Sequence, residues 1–191
     1  MTISFMPCIA ILRCRDFLPK GVSDLNYSVI KYHDIANGTG VRTVLFVSGC
    51  THHCKGCFQP QTWDFNYGEP FTEEVAQQII DSLDDPFTEG LTLLGGEPME
   101  PDNQRALLPM IRKIKKLHPD KNIWCYSGYT YETDLAAPDG KAHCEVTDEL
   151  LDTYDILVDG EFKLEEKDIS LLFRGSRNQR ILDLKKLRGN K

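Results

Sequence analysis

The chain alternates between two hydrophobic rhythms, and the places where the rhythm changes divide it into elements. Residues 27–34, YSVIKYHD, alternate apolar and polar positions, the period of a strand with one wet face. After a turn-rich NGTG at 37–40, residues 43–47 (TVLFV) are continuously apolar and β-branched, as in a strand covered on both faces. LTLL at 91–94, NIWCY at 122–126 and DILVD at 155–159 read the same way, and QRILDL at 179–184 makes a last strand. Between them the period becomes helical. Thr72 is an N-cap ahead of Glu73 and Glu74, two acids suited to the positive end of a helix. That helix runs to about Leu83, with Val75, Ile79, Ile80 and Leu83 on one face. A second spans about Asp102 to Leu117 on a stripe of Leu107, Met110, Ile111, Ile114 and Leu117, and Pro109 should kink it or mark its true start. A short helix is expected near 147–154.

Strand and helix in alternation predict an α/β fold with a mainly parallel sheet, in which chemistry gathers on loops leaving the C-terminal strand ends. Two such loops carry unusual sequence: SGCTHHCKGCFQPQTW, residues 48–63, and GGEP, residues 95–98. They should share one end of the sheet, close enough to serve one ligand. Residues 1–25 fit neither rhythm. They hold two isolated cysteines, Cys8 and Cys14, and a Pro-Lys-Gly break at 19–21, and are set apart as an extension of unknown structure before a domain at 26–191.

Composition narrows the class. A chain of 191 residues suffices for one domain with a full core. Its net charge of −7 argues against a surface built to neutralise nucleic-acid phosphates. The basic stretch Arg112, Lys113, Lys115 and Lys116 reads as the solvated face of a helix. No run approaches the roughly 18 apolar residues that span a bilayer. The opening MTISFMPCIAIL lacks a basic leader, contains Pro7, and is followed by Arg13, Arg15 and Asp16 in place of a cleavage site. A cytoplasmic protein is expected.

The cysteines change the picture most. Seven is an odd number, and three of them, Cys50, Cys54 and Cys57, stand three and then two residues apart. That crowding points to a metal. Zinc takes four ligands, and His52 and His53 lie between the cysteines, but a second ligand pair is missing, since Cys125 and Cys144 are solitary. Three thiolates on one loop suit three irons of a cubane cluster, leaving one iron open. Spacing leaves both readings standing and favours the cluster. His52 and His53 are expected to face solvent or line the loop, Cys125 to be a small buried hydrophobe, and Cys144 has no role. GGEP alone is turn chemistry, although its glycines let the backbone approach a ligand and Glu97 offers an acceptor for an ammonium group.

Together, C-x3-C-x2-C followed by Phe58, and a strand running into GGEP, resemble the radical S-adenosylmethionine superfamily. The resemblance implies a partial, open (β/α) barrel and one [4Fe-4S] cluster held by Cys50, Cys54 and Cys57. The open iron would be chelated by the amino and carboxylate groups of S-adenosylmethionine, whose reductive cleavage gives methionine and a 5′-deoxyadenosyl radical. Gly56 and Phe58 would border that cofactor, with Gly95, Gly96 and Glu97 on its methionine moiety and Ser127 and Gly128 near its nucleoside. No residue beyond these cofactors is assigned a catalytic role.

Within the superfamily the chain resembles the glycyl-radical-enzyme activases, and its short length implies a wide lateral opening suited to a protein segment as substrate. DIANGTGVRTVLFVSGC (34–50), CKGCFQPQTW (54–63), LLGGEP (93–98), IWCYSGY (123–129), ILVDGEF (156–162) and FRGSRNQR (173–180) are similar to activases of anaerobic ribonucleoside-triphosphate reductases. Such a reductase is the implied partner, with a glycine Cα near its C-terminus as hydrogen donor. A flavodoxin- or ferredoxin-type electron donor is implied as well, and neither nucleic acid nor membrane. Two features depart from the pattern. The extension has no counterpart, and the loop at 126–128 lacks the acidic residue that the related activase of pyruvate formate-lyase carries. Arg174, Asn178 and Gln179 match without a mechanism. The alternatives are an activase of another glycyl-radical enzyme and, in a different class, a zinc-stabilised interaction module.

Overall fold

Seven strands form one sheet in the order β3-β1-β2-β4-β5-β6-β7 in a computed structural model that describes residues 25–189. The strands are β1 (Asn26–Asp34), β2 (Val41–Val47), β3 (Glu69–Pro70), β4 (Thr88–Gly95), β5 (Asn122–Tyr126), β6 (Ile156–Asp159) and β7 (Arg180–Asp183). Cys8 and Cys14 lie outside the described residues, as does all of the extension but Leu25, which is buried in the core.

The parallel expectation holds for the centre alone. β2, β4, β5 and β6 are parallel, whereas β1, β3 and β7 pair antiparallel at the flanks. Residues 35–40 between β1 and β2 are too few for the crossover that a parallel pair needs.

Among the described residues, four α-helices, α1 (Glu73–Ser82), α2 (Pro101–Leu117), α3 (Thr147–Thr153) and α4 (Leu184–Gly189), accompany the sheet. Leu45 and Val47 of β2, Leu91 and Leu93 of β4, Ile123 of β5 and Leu157 of β6 share one core with Ile79 and Ile80 of α1, Ile111 and Ile114 of α2, and Leu150 of α3. Successive strand residues point to opposite faces, so the alternate set, including Phe46, Leu94 and Tyr126, is left to line a cavity. One face of the sheet is therefore core and the other is site.

Local signals explain most boundaries. Thr72 caps α1, its hydroxyl accepting from the Val75 amide at 3.4 Å. α2 starts on Pro101, where a missing N–H costs nothing, and it continues through Pro109. An interior proline costs about 3 kcal/mol or more. Burial of Leu107, Leu108, Met110, Ile111 and Ile114 offsets that, at about 1.5–3 kcal/mol for each large apolar side chain. Leu117, expected on this stripe, is 59% exposed at the last turn, and Leu108 takes its place. Three of the four basic residues named on α2 are ion-paired, Arg112 to Glu149, Lys113 to Glu73 and Lys115 to Asp155. Among the described residues, no helix is long and apolar enough to cross a membrane.

Candidate metal and cofactor site

The two unusual loops leave neighbouring strands and lock together through their backbones. The Gly96 amide donates to the Val47 carbonyl at 2.7 Å and the Glu97 amide to the Gly49 carbonyl at 2.8 Å. Gly95 has φ +113°, and a Cβ there would lie 2.6 Å from the Val47 carbonyl oxygen; one on Gly96 would lie 2.6 Å from the Gly49 oxygen. The paired glycines of GGEP are thus required by the cysteine loop before any ligand arrives. Asn103, buried in the first turn of α2, donates its Nδ2 to the carbonyls of Ser48 at 3.0 Å and Glu97 at 2.8 Å, stapling the loops from behind.

In front of them lies a cavity of about 590 Å³. Cys50, Cys54 and Cys57 line it together with Gly95, Gly96 and Glu97, and Phe58, Ser127 and Gly128 complete that part of the wall. Gly56 does not; it sits at φ +78° in the turn closed by the Cys57 amide on the Cys54 carbonyl, against the side chain of Leu164. Cys125 belongs to the core behind the sheet, and Cys144 lies beside Thr147 and Gln104. Among the described residues the cavity therefore has three cysteines.

Burial, reinforced by the charge of Glu97, pushes the Cys50 thiol up to about 12, although the amides of His52 and His53 pull the other way. Burial and the Glu161 charge raise Cys54 to about 11. Both therefore favour the thiol, and a positively charged metal beside them would favour the thiolate. Among the described residues, no three His, Cys, Asp or Glu side chains gather closely enough to hold a single ion. A cubane spaces its thiolates more widely than one ion does.

His52 does not face solvent. Its side chain is 7% exposed, Nε2 lies 3.1 Å from Glu97 Oε2, and its ring packs on Tyr129 with centroids 4.4 Å apart. Burial opposes a charge on His52, but the bond to Glu97 and the surrounding acids outweigh it and raise its pKa. Glu97 also accepts from the Gly128 amide at 2.6 Å and the Met99 amide at 2.8 Å. Beside it Thr51 gives its amide and hydroxyl to Glu100 Oε1 at 2.8 and 2.6 Å. His53 is exposed and stacks on Trp63.

Residues 36–182 match the family model described as a 4Fe-4S single cluster domain. The anaerobic ribonucleoside-triphosphate reductase-activating protein of Pasteurella multocida is 42% identical over 159 residues, 82% of this chain and 96% of that protein. The proteins of that name from Escherichia coli K12 and Enterobacteria phage T4 are 39% and 36% identical, covering 84% and 82% of this chain and 100% and 93% of their own. This chain belongs to that family of reductase-activating proteins. The site of this family member includes residues that pattern reasoning left without a role. Phe162, Phe173, Arg174 and Gln179 line the cavity from the segment between β6 and β7. Gln179 organises it, its Oε1 accepting from the Gly175 and Ser176 amides and its Nε2 donating to the Gly160 carbonyl at 3.0 Å. Asn178 donates to the Glu161 carbonyl at 2.8 Å. FRGSRNQR is thus in part a self-stapled loop that folds back on Phe58, since a Cβ on Gly175 would meet Phe162 and Phe58 at 3.0 and 3.3 Å.

Proposed function

We propose that the chain is a radical S-adenosylmethionine activase that generates a glycyl radical on an anaerobic ribonucleoside-triphosphate reductase. The observation that carries this reading is the meeting of Cys50, Cys54 and Cys57 with the GGEP loop on one cavity at the C-terminal edge of parallel strands. Helices on one face and a cavity on the other support a partial, open (β/α) barrel, with Leu25, one residue before the expected boundary, already part of its core.

Three cavity thiols fit a [4Fe-4S] cluster with one iron left for a non-protein ligand. Bound there, the cluster and S-adenosylmethionine supply the one-electron cleavage that yields a 5′-deoxyadenosyl radical. The chain's own contribution is positional. Cys50, Cys54 and Cys57 anchor the metal, Gly95 and Gly96 bring backbone up to the cofactor, and Phe58, itself 67% exposed, lines the cavity against Phe162 with ring centroids 5.3 Å apart. The open mouth admits a glycine-bearing segment of the reductase. A flavodoxin- or ferredoxin-type protein in the cytoplasm provides the electron.

Anaerobic reconstitution should give about four irons per chain. Mixing with the reductase, S-adenosylmethionine and a reductant should then produce the glycyl-radical doublet in electron paramagnetic resonance. Cys54→Ala should lose the cluster and the radical together. A Cys54→Ala chain that keeps the cluster, or one tightly held zinc and no sulfide in protein purified without air, overturns the reading.

A further inference from the structure

The carboxylate of Glu97 is the natural candidate for holding the cofactor's ammonium group, yet it is already engaged. Glu97 is 1% exposed, and its two oxygens receive the Met99 amide, the Gly128 amide and His52 Nε2. A carboxylate only accepts, so Nε2 is the donor of that last contact. The three donors come from three places: the loop after β2, the turn after β4 itself, and the loop after β5. Glu97 is therefore a hub joining the strand ends that wall the cavity, and among the described residues His52 is its one side-chain donor. The fit is close on both sides, since a Cβ on Gly128 would lie 2.6 Å from His52 Nε2.

We infer that His52 is a positioning residue for S-adenosylmethionine, acting through Glu97 rather than touching metal or ligand. It holds the carboxylate where it ties the Gly128 loop to the cysteine loop, and the ligand's ammonium is met by backbone acceptors of the Gly95–Gly96 turn. The inference rests on reading the cavity as a S-adenosylmethionine site. If the reconstituted wild-type chain does not bind S-adenosylmethionine, that reading fails; if it binds and the His52 variants behave like it, only this inference fails.

The test uses the reconstituted full chain with His52→Ala, His52→Gln, Glu97→Gln and the double variant His52→Ala/Glu97→Gln. Iron content and the dissociation constant for S-adenosylmethionine are measured, with the cofactor-induced change in the resonance of the reduced cluster. His52→Ala should keep its iron and bind 10- to 100-fold more weakly, as loss of supporting partners around a metal site commonly does. His52→Gln, which restores an N–H donor, should recover to within about threefold, and the double variant should be no weaker than the worse single one. Additive losses, or a His52→Ala chain binding within about twofold of wild type while Glu97→Gln loses tenfold, would mean that Glu97 meets the ligand directly. Hydrogen exchange on the unreconstituted chain reads the same contact without the cluster. The Gly128 amide should exchange about tenfold faster in His52→Ala and at the wild-type rate in His52→Gln, with α1 amides unchanged. Equal exchange in all three overturns the proposal.

Discussion

Arg42 and Glu97 are charges buried at opposite ends of the central strands, and the fold uses them differently. At the N-terminal end Arg42, the second residue of β2, is fully buried. It donates to Thr92 Oγ1 at 2.6 Å, the Thr39 carbonyl at 3.1 Å, Asn122 Oδ1 at 2.8 Å and the Leu91 carbonyl at 2.7 Å. At the C-terminal end Glu97 is equally buried and accepts from two amides and an imidazole. Neither relies on a buried ion pair with an Arg, Lys, Asp or Glu. Each instead meets its desolvation cost with hydrogen bonds. The difference is in what the partners border. Those of Arg42 belong to β4, β5 and the turn before β2, so that charge sews the sheet shut, whereas those of Glu97 belong to loops around an open cavity. The same physics gives rigidity at one end and a binding site at the other.

The contrast is broken most forcefully at Arg42. Arg42→Met leaves several buried acceptors unpaired and should cost about 3–5 kcal/mol in urea unfolding of the unreconstituted chain. Arg42→Lys should recover little, because an ammonium cannot fork to acceptors on three segments. A loss under about 1 kcal/mol would show that the sheet closes without it. Next in size is Gly128→Ala. Its Cβ would strike the His52 ring at 2.6–2.7 Å and push it off Glu97. We expect about 1 kcal/mol of stability but roughly tenfold in S-adenosylmethionine affinity. The reverse ratio would make the cavity end another structural staple.

This division also separates what was legible in the sequence from what was not. TVLFV and NIWCY announce themselves because, past Thr43 and Asn122, a strand buried on both faces is continuously apolar. β3 is invisible, since Glu69 and Pro70 are both exposed and two residues carry no period. Pro109 looked like a boundary because propensity is local, while the burial that overrides it lies across the sheet. The cysteine and GGEP loops were readable as neighbours from topology alone. The standing of His52 was not, because its partner is 45 residues away and both side chains turn inward. Arg174 and Gln179 were noticed yet unexplained for the same reason: the loop they staple closes on Gly160, out of reach of any periodicity.

Asp155 offers the gentlest test, since it lies at the Arg42 end but has real ion-pair partners. Its Oδ2 takes the Ile123 amide at 2.7 Å and Lys115 Nζ at 3.0 Å, and Lys185 approaches Oδ1. Burial would raise the carboxyl, but Lys185, the Ile123 amide and Lys115 together hold it below the ordinary carboxylate range. A carboxyl whose folded pKa lies below its unfolded value of about 3.9 stabilises the protein fully above that pH, and the contribution disappears as pH falls through the lower folded value. Asp155→Asn should therefore cost about 1 kcal/mol at neutral pH in urea unfolding of the unreconstituted chain. The gap to wild type should narrow as the pH drops below about 4. The Arg42→Met gap should not narrow over that range, because burial lowers the guanidinium only to about 10 and it stays charged throughout. If the Asp155→Asn gap persists undiminished in acid, its contribution is shape rather than charge, and of the two charges only that of Arg42 holds the N-terminal end.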